Sequence, residues 1–184
     1  MLTTTFKLLR THDACKDRYT VLRKALKGRK DNEPITMIEI LDSNGLADAL
    51  HALRVVPDEQ AAERDRLARL YACWCVRQVW HLLKDERSRA AVEIAELFAN
   101  GNAGESELYA RYRDAIEATK TEELKSSIAA SAASWTAVSS VVITTGVFMV
   151  AGQIIHEICN VSEDYSTCFR FRAKQKDKFR EMFG

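Results

Sequence analysis

Two prolines and seven glycines in 184 residues leave few points at which a helix must stop. Ala, Leu, Glu, Arg and Lys are abundant instead, so the composition favours helix nearly throughout and implies an all-α chain. Charge is missing from one long stretch: the thirty residues Ser126 to Ile155 contain no formally charged side chain. Cysteine is neither plentiful nor even in number. The five include Cys73 and Cys75, which point in well-separated directions on a helix, and they read as reduced, buried thiols of a cytoplasmic protein. The N-terminal MLTTTFKLLRTHD has no apolar run before Lys7 long enough for a cleaved leader, which argues against export.

Chemical motifs are also scarce. Cys73-x-Cys75 lacks the two-residue spacing of a zinc knuckle, and His156-Glu157 lacks the second histidine of a metalloprotease helix. Gly101-x-x-Gly104 is not followed by the Lys-Ser/Thr of a phosphate loop. Cys15, Cys73, Cys75, Cys159 and Cys168 form no recognisable Cys–His signature with His12, His51, His81 or His156. Carboxylate pairs such as Glu93 with Glu96 read as solvated helix faces. No catalytic residue, cofactor or metal is expected, and binding rather than turnover is the expected mode of action.

What is present is a charge asymmetry hidden by the net +1. Residues 1–30 carry nine Lys or Arg against Asp13 and Asp17, and residues 170–184 carry six against Asp177 and Glu181, leaving an acidic middle. Basic termini either dock on that acidic body or present cations to a partner. The candidate partner-binding residues are Arg170, Arg172, Lys174, Lys176 and Lys178 near the C-terminus, with Arg23, Lys24 and Lys27 near the N-terminus. A protein partner is the first expectation and nucleic acid the second, although aromatic and Gly-rich single-strand signals are absent. Self-association through the basic ends is a further possibility.

The expected architecture is a single-domain multi-helix bundle over 1–184, with a basic helical region at 1–33, a core at 34–158 and a basic C-terminal helix at 165–184. Residues 6–27 hold one or two amphipathic helices, with Cys15, Tyr19, Leu22 and Leu26 as a stripe. Gly28–Pro34 reads as a loop, 35–43 as a short helix stopped at Asn44-Gly45, and Leu46–Val56 as another helix before Pro57. Asp58 is the expected N-cap of a long helix to about Leu83, whose second half, LYACWCVRQVWHLL, is apolar on nearly every face. Within it, Arg69 and Arg77 call for carboxylate or carbonyl partners, or for a ligand. Asp85 caps a helix ended by Asn100-Gly101, with Ala91, Ile94, Ala95 and Phe98 as its buried stripe. Glu105 to about Lys120 forms the next, with a junction near Thr121, and Cys168–Phe183 the last, after a polar loop at 160–167. The uncharged stretch is long enough to cross a bilayer, but its Ser, Thr and Gln153 content, the lack of a Lys/Arg cluster next to Ile155 and the lack of paired aromatic belts favour an inner helix or two, with Gly146 as the candidate kink or break. It is expected to pair centrally with Leu70–Leu83, and a membrane-acting protein is the remaining alternative.

Residues 69–101, RLYACWCVRQVWHLLKDERSRAAVEIAELFANG, carry a resemblance. Trp80, His81, Leu82, Leu83, Asp85 to Arg89, Ala91 to Glu93, Ala95, Glu96, Phe98, Ala99 and Gly101 resemble a group of uncharacterised bacterial and phage proteins with the pattern WHLL-x-DERSR-x-AVE-x-AE-x-FA-x-G. The closing FREMFG, Phe179–Gly184, is similar to the ends of that group. The layout is more loosely similar to all-helical immunity proteins of bacterial toxin systems. The resemblance implies a helical protein that binds and silences a toxin or defence component, and it implies no catalytic residues.

Overall fold

The structure, a computed structural model, describes residues 1–12, 14–120, 124–137, 143–161 and 165–184; the side chains of 124–129, 157, 160, 161 and 165 are not described. The expected junction near Thr121 and all of Val138–Val142 therefore lie outside the described residues. The chain is all-α, with one two-residue strand pair among the described residues, and it divides into two compact units, 1–64 with 176–184 and 65–175.

In the first unit, β1 (Thr3–Thr4) pairs antiparallel with β2 (Ile35–Thr36), Thr3 opposite Thr36 and Thr4 opposite Ile35. Two helices follow each strand: α1 (Phe6–Thr11) and α2 (Lys16–Ala25) after β1, and α3 (Met37–Asn44) and α4 (Leu46–Ala52) after β2. The N-terminal pattern thus resolves into two helices, and α1 starts where Thr5 Oγ1 accepts the Leu8 N–H at 3.1 Å. At α3 the cap is reciprocal: Thr36 Oγ1 accepts the Glu39 N–H at 3.1 Å, and Glu39 accepts the Thr36 N–H at 2.8 Å. Gly45, at φ 89°, ends α3 and begins α4, a conformation that Cβ disfavours. Phe6, Ile35, Met37, Leu50 and Leu53 form the core, with Phe179 and Phe183 stacked at 4.3 Å among the fully buried side chains.

The four arginines of the basic N-terminal region are answered by acids within this unit. Arg10 and Arg23 both meet Asp31, Arg29 meets Glu39 at 2.5 Å, Arg18 meets Asp48 at 2.5 Å, and Arg180 meets Asp42 at 2.7 Å. These are the internal pairings that the charge asymmetry allowed for.

The expected long helix from Asp58 to Leu83 is broken at both ends. Asp58–Gln60 form a 3₁₀ turn with no side-chain cap, because Gln60 turns to Thr3, accepting its N–H at 3.0 Å. Helix α5 (Ala61–Arg77) then stops six residues early. Gln78 and Val79 bond back to Cys75 and Val76 in tightened three-residue turns, and Arg77 folds over the Trp80 ring at 4.0 Å. Neither Pro nor Gly marks this stop. It is set by a side-chain contact.

In the second unit, α6 (Glu86–Ala99) is capped by Asp85, whose Oδ1 accepts the Arg87 N–H at 2.8 Å, and Gly101 at φ 75° lies beyond its end. Its buried face is rotated from the expected stripe: Ser88, Ala91, Val92, Ala95 and Ala99 are buried, while Ile94 and Phe98 are half-exposed. Helix α7 (Glu105–Thr119) follows, and the uncharged stretch supplies two helices, α8 (Leu124–Thr136) and α9 (Ile143–Val161). Gly146 lies inside α9 rather than at the break. Helix α8 packs most extensively on α9 and also on α6 and α7, where Ala130, Ala132, Ala133, Ala91, Ala95, Ala115 and Ala118 permit close approach. The central pair is therefore α8 with α9, and α5 reaches it through Arg69. Among the described residues no helix is long and apolar enough to cross a membrane. Helix α9 runs to Val161 and helix α10 (Tyr165–Phe183) begins earlier than expected, so helix takes 160, 161 and 165–167 of the expected polar loop; 162–164 lie outside the described residues.

Candidate functional site

Helix α10 turns Phe171 and Gln175 inward, one turn apart, and this anchoring decides which of its cations face out. Phe171 stacks on Trp74 of α5, with ring centroids 6.1 Å apart and planes 7° from parallel. Gln175 is fully buried: its amide nitrogen donates to the Ala151 carbonyl at 3.2 Å and lies 3.5 Å from the Cys75 sulfur, while its backbone carbonyl accepts the Tyr71 hydroxyl at 3.0 Å. Burial pushes the Cys75 thiol up to about 12 and raises Cys73 and the Tyr71 phenol further. Neither thiol is thereby a thiolate nucleophile at neutral pH.

Outward from this anchor lies an open cleft of about 440 Å³, with Ile158 and Phe171 on its apolar side and Gln78, Thr167, Arg170 and Lys174 around it. Arg170 and Lys174 stand one helical turn apart on the same side of α10. Arg170 is steadied by Ser166, whose hydroxyl accepts its Nη2 at 3.0 Å. Arg172 and Lys174 are exposed and make no ion pair among the described residues. Phe169, in the same turn, is 80 % exposed. Beside the cleft, a disulfide joins Cys159 of α9 to Cys168 of α10, their Cα atoms 5.3 Å apart. The expectation of five reduced, buried thiols therefore holds for Cys73 and Cys75, whereas Cys15 is exposed and Cys159 and Cys168 are paired. Two helix ends brought together in space made that pairing, and their separation along the chain carried no signal of it.

The other sequence candidates are dispersed. Lys176 and Lys178 belong to the first unit, Lys176 exposed and Lys178 paired with Glu181 at 2.5 Å. Arg23 is committed to the fold, bonded to Asp31 and to the Arg29 carbonyl and lying 4.0 Å above the Phe6 ring, while Lys24 and Lys27 are exposed. Arg77 finds its carboxylate, laying Nε and Nη2 on the two oxygens of Glu96 at 3.0 and 2.7 Å. Arg69 finds a carbonyl instead: it is 1 % exposed, donates Nη1 to the Thr136 oxygen at 2.5 Å, and lies 5.1 Å from the Phe98 ring centre. Burial lowers its pKa, and Nη2 has no hydrogen-bond partner among the described residues. Among the described residues no three His, Cys, Asp or Glu side chains gather as a metal site. Gln78, Ile158 and Thr167 were missed as cleft residues because they come from three separate elements.

Comparison with protein-family models, curated proteins and solved structures finds no match to this chain.

Proposed function

We propose that the protein acts by binding an acidic surface of another protein at the cationic part of α10 around Arg170, Arg172 and Lys174. The observation that carries this reading is the combination of two exposed cations without ion pairs and the exposed Phe169 within two turns of one helix. Aromatic and arginine side chains dominate binding energy at protein interfaces, and a helix face is a recurrent recognition element. The resemblance of residues 69–101 suggests a toxin or defence component as partner and an immunity-like or counter-defence inhibitor as the role. Binding without turnover is proposed, in the cytoplasm.

Capture from a bacterial lysate by the tagged full-length chain tests the proposal. A stoichiometric protein partner is expected, lost on triple charge reversal R170E/R172E/K174E at unchanged circular dichroism. Failure to recover any stoichiometric protein under several salt conditions, or capture indifferent to the reversal, overturns it. The same cations support nucleic acid as a second reading, which requires affinity for DNA or RNA that falls steeply with salt and capture that nuclease abolishes. Thiol alkylation at the moment of lysis addresses the compartment, since a reducing cytoplasm would leave Cys159 and Cys168 open to the reagent.

A further inference from the structure

The first unit holds a separate cavity of about 330 Å³ whose inner wall and mouth differ in chemistry. Leu9, Leu22, Ile40 and Val55, all buried, form the apolar wall. The volume lies at the lower end of small-molecule sites, roughly 300 to 1,000 Å³. At the mouth, Arg18 meets Asp48 at 2.5 Å, and Asn44 Nδ2 donates to the other Asp48 oxygen at 2.9 Å and to the Arg18 carbonyl at 2.8 Å. The carboxylate at this opening is thus already answered on both oxygens. Arg54, just past α4, lines the same opening, is exposed, and makes no ion pair among the described residues. His51 lines the same cavity, and burial followed by the repulsion of Arg18 and Arg54 lowers its pKa, so it adds a neutral polar group near pH 7.

We infer that this cavity binds a small amphipathic carboxylic acid, its carboxylate at Arg54 and its apolar tail against Leu9, Leu22, Ile40 and Val55. One uncommitted guanidinium matches one carboxylate in a two-bond fork, whereas a phosphate dianion would leave charge unanswered. A cationic amphiphile would set its head against Arg54 and Arg18. A neutral alcohol would forgo the charge-assisted bonds.

Isothermal titration of octanoate, octylamine and octanol into the full-length chain tests this. Octanoate is expected to bind and octylamine not to, with octanol weaker than octanoate. R54E lowers octanoate affinity about tenfold or more. A14W adds bulk at a half-buried lining position without changing charge, and it lowers affinity for octanoate and octanol alike. Circular dichroism checks both folds, and R54Q replaces R54E should the reversal unfold. Absence of octanoate binding to the unaltered chain, equal binding of octylamine, or octanoate affinity unchanged in folded R54E or R54Q and A14W overturns the inference.

Discussion

The hydroxyl of Tyr71 on α5 donates to the backbone carbonyl of Gln175 on α10 at 3.0 Å, joining residues 104 positions apart within the second unit. That carbonyl belongs to a residue whose side chain is itself bonded to the Ala151 carbonyl. Tyr71→Phe keeps the ring and removes the buried hydroxyl with its bond to the Gln175 carbonyl, so it is expected to cost about 1–3 kcal/mol, read from urea unfolding. Gln175→Ala is expected to cost more, because it opens a void and removes the buried amide bond to the Ala151 carbonyl. Equal stability of Gln175→Ala and the unaltered chain would show that this anchor is dispensable.

Arg69 offers the opposite expectation. A guanidinium at 1 % exposure with an unpartnered Nη2 carries a desolvation cost that one carbonyl bond and one aromatic ring offset incompletely. Arg69→Met preserves most of the volume and removes the charge, and it is expected to leave thermal stability unchanged or raise it. A loss of more than about 3 kcal/mol would mean that the buried charge is well compensated.

At Glu39, burial works to raise the carboxyl pKa, but hydrogen bonds from the Thr36 N–H and from Arg29 outweigh it and hold the pKa below the usual 4.5. A depressed folded-state value means stability present above pH 4.5 that disappears as pH falls through the folded-state pKa. Melting curves from pH 6 to pH 3 are expected to show this loss, and Glu39→Gln should flatten its acid limb while lowering stability at neutral pH by about 1 kcal/mol through the weakened cap. An acid limb of unchanged slope in Glu39→Gln would assign the loss to other carboxylates.

Reduction of Cys159–Cys168 is expected to raise the count of reactive thiols under denaturing conditions from three to five. Closing a loop of this separation constrains the unfolded chain, and its loss should cost about 2–3 kcal/mol. Five thiols in the purified, air-oxidised protein before reductant is added would contradict the pairing.

His51 should respond to its neighbours in a measurable direction. Its folded-state pKa lies below 6.5 through burial and the nearby Arg18 and Arg54, so Arg54→Gln is expected to move it upward in an NMR titration. No movement would place Arg54 too far from the imidazole to shape the cavity mouth.

Much of the helical layout was legible because its signals are local. Asp85 caps α6 and Gly101 follows its end, Gly45 separates α3 from α4, and the period of Phe171, Gln175 and Phe179 marks the inner face of α10. The premature end of α5 was not legible, since the side chain of its last residue, Arg77, covers Trp80 and bonds Glu96, nineteen positions away. The rotation of the α6 face and the recruitment of Gln60 to Thr3 escaped for the same reason. Of the site, the cations were visible as a cluster in sequence; that Arg23 is consumed internally while Arg172 and Lys174 stay uncommitted depended on where acids lay in space.

Composition and period by themselves determined an all-helical chain, its main caps and the inward burial of an uncharged stretch, because each follows from interactions within a few residues. Only tertiary structure decided that the stretch becomes two helices packed on each other, that Cys159 meets Cys168, and that Leu9, Ile40 and Arg54 share one cavity. Those outcomes depend on which surfaces fit together at long range, and helix periodicity says which face is apolar without saying what will cover it.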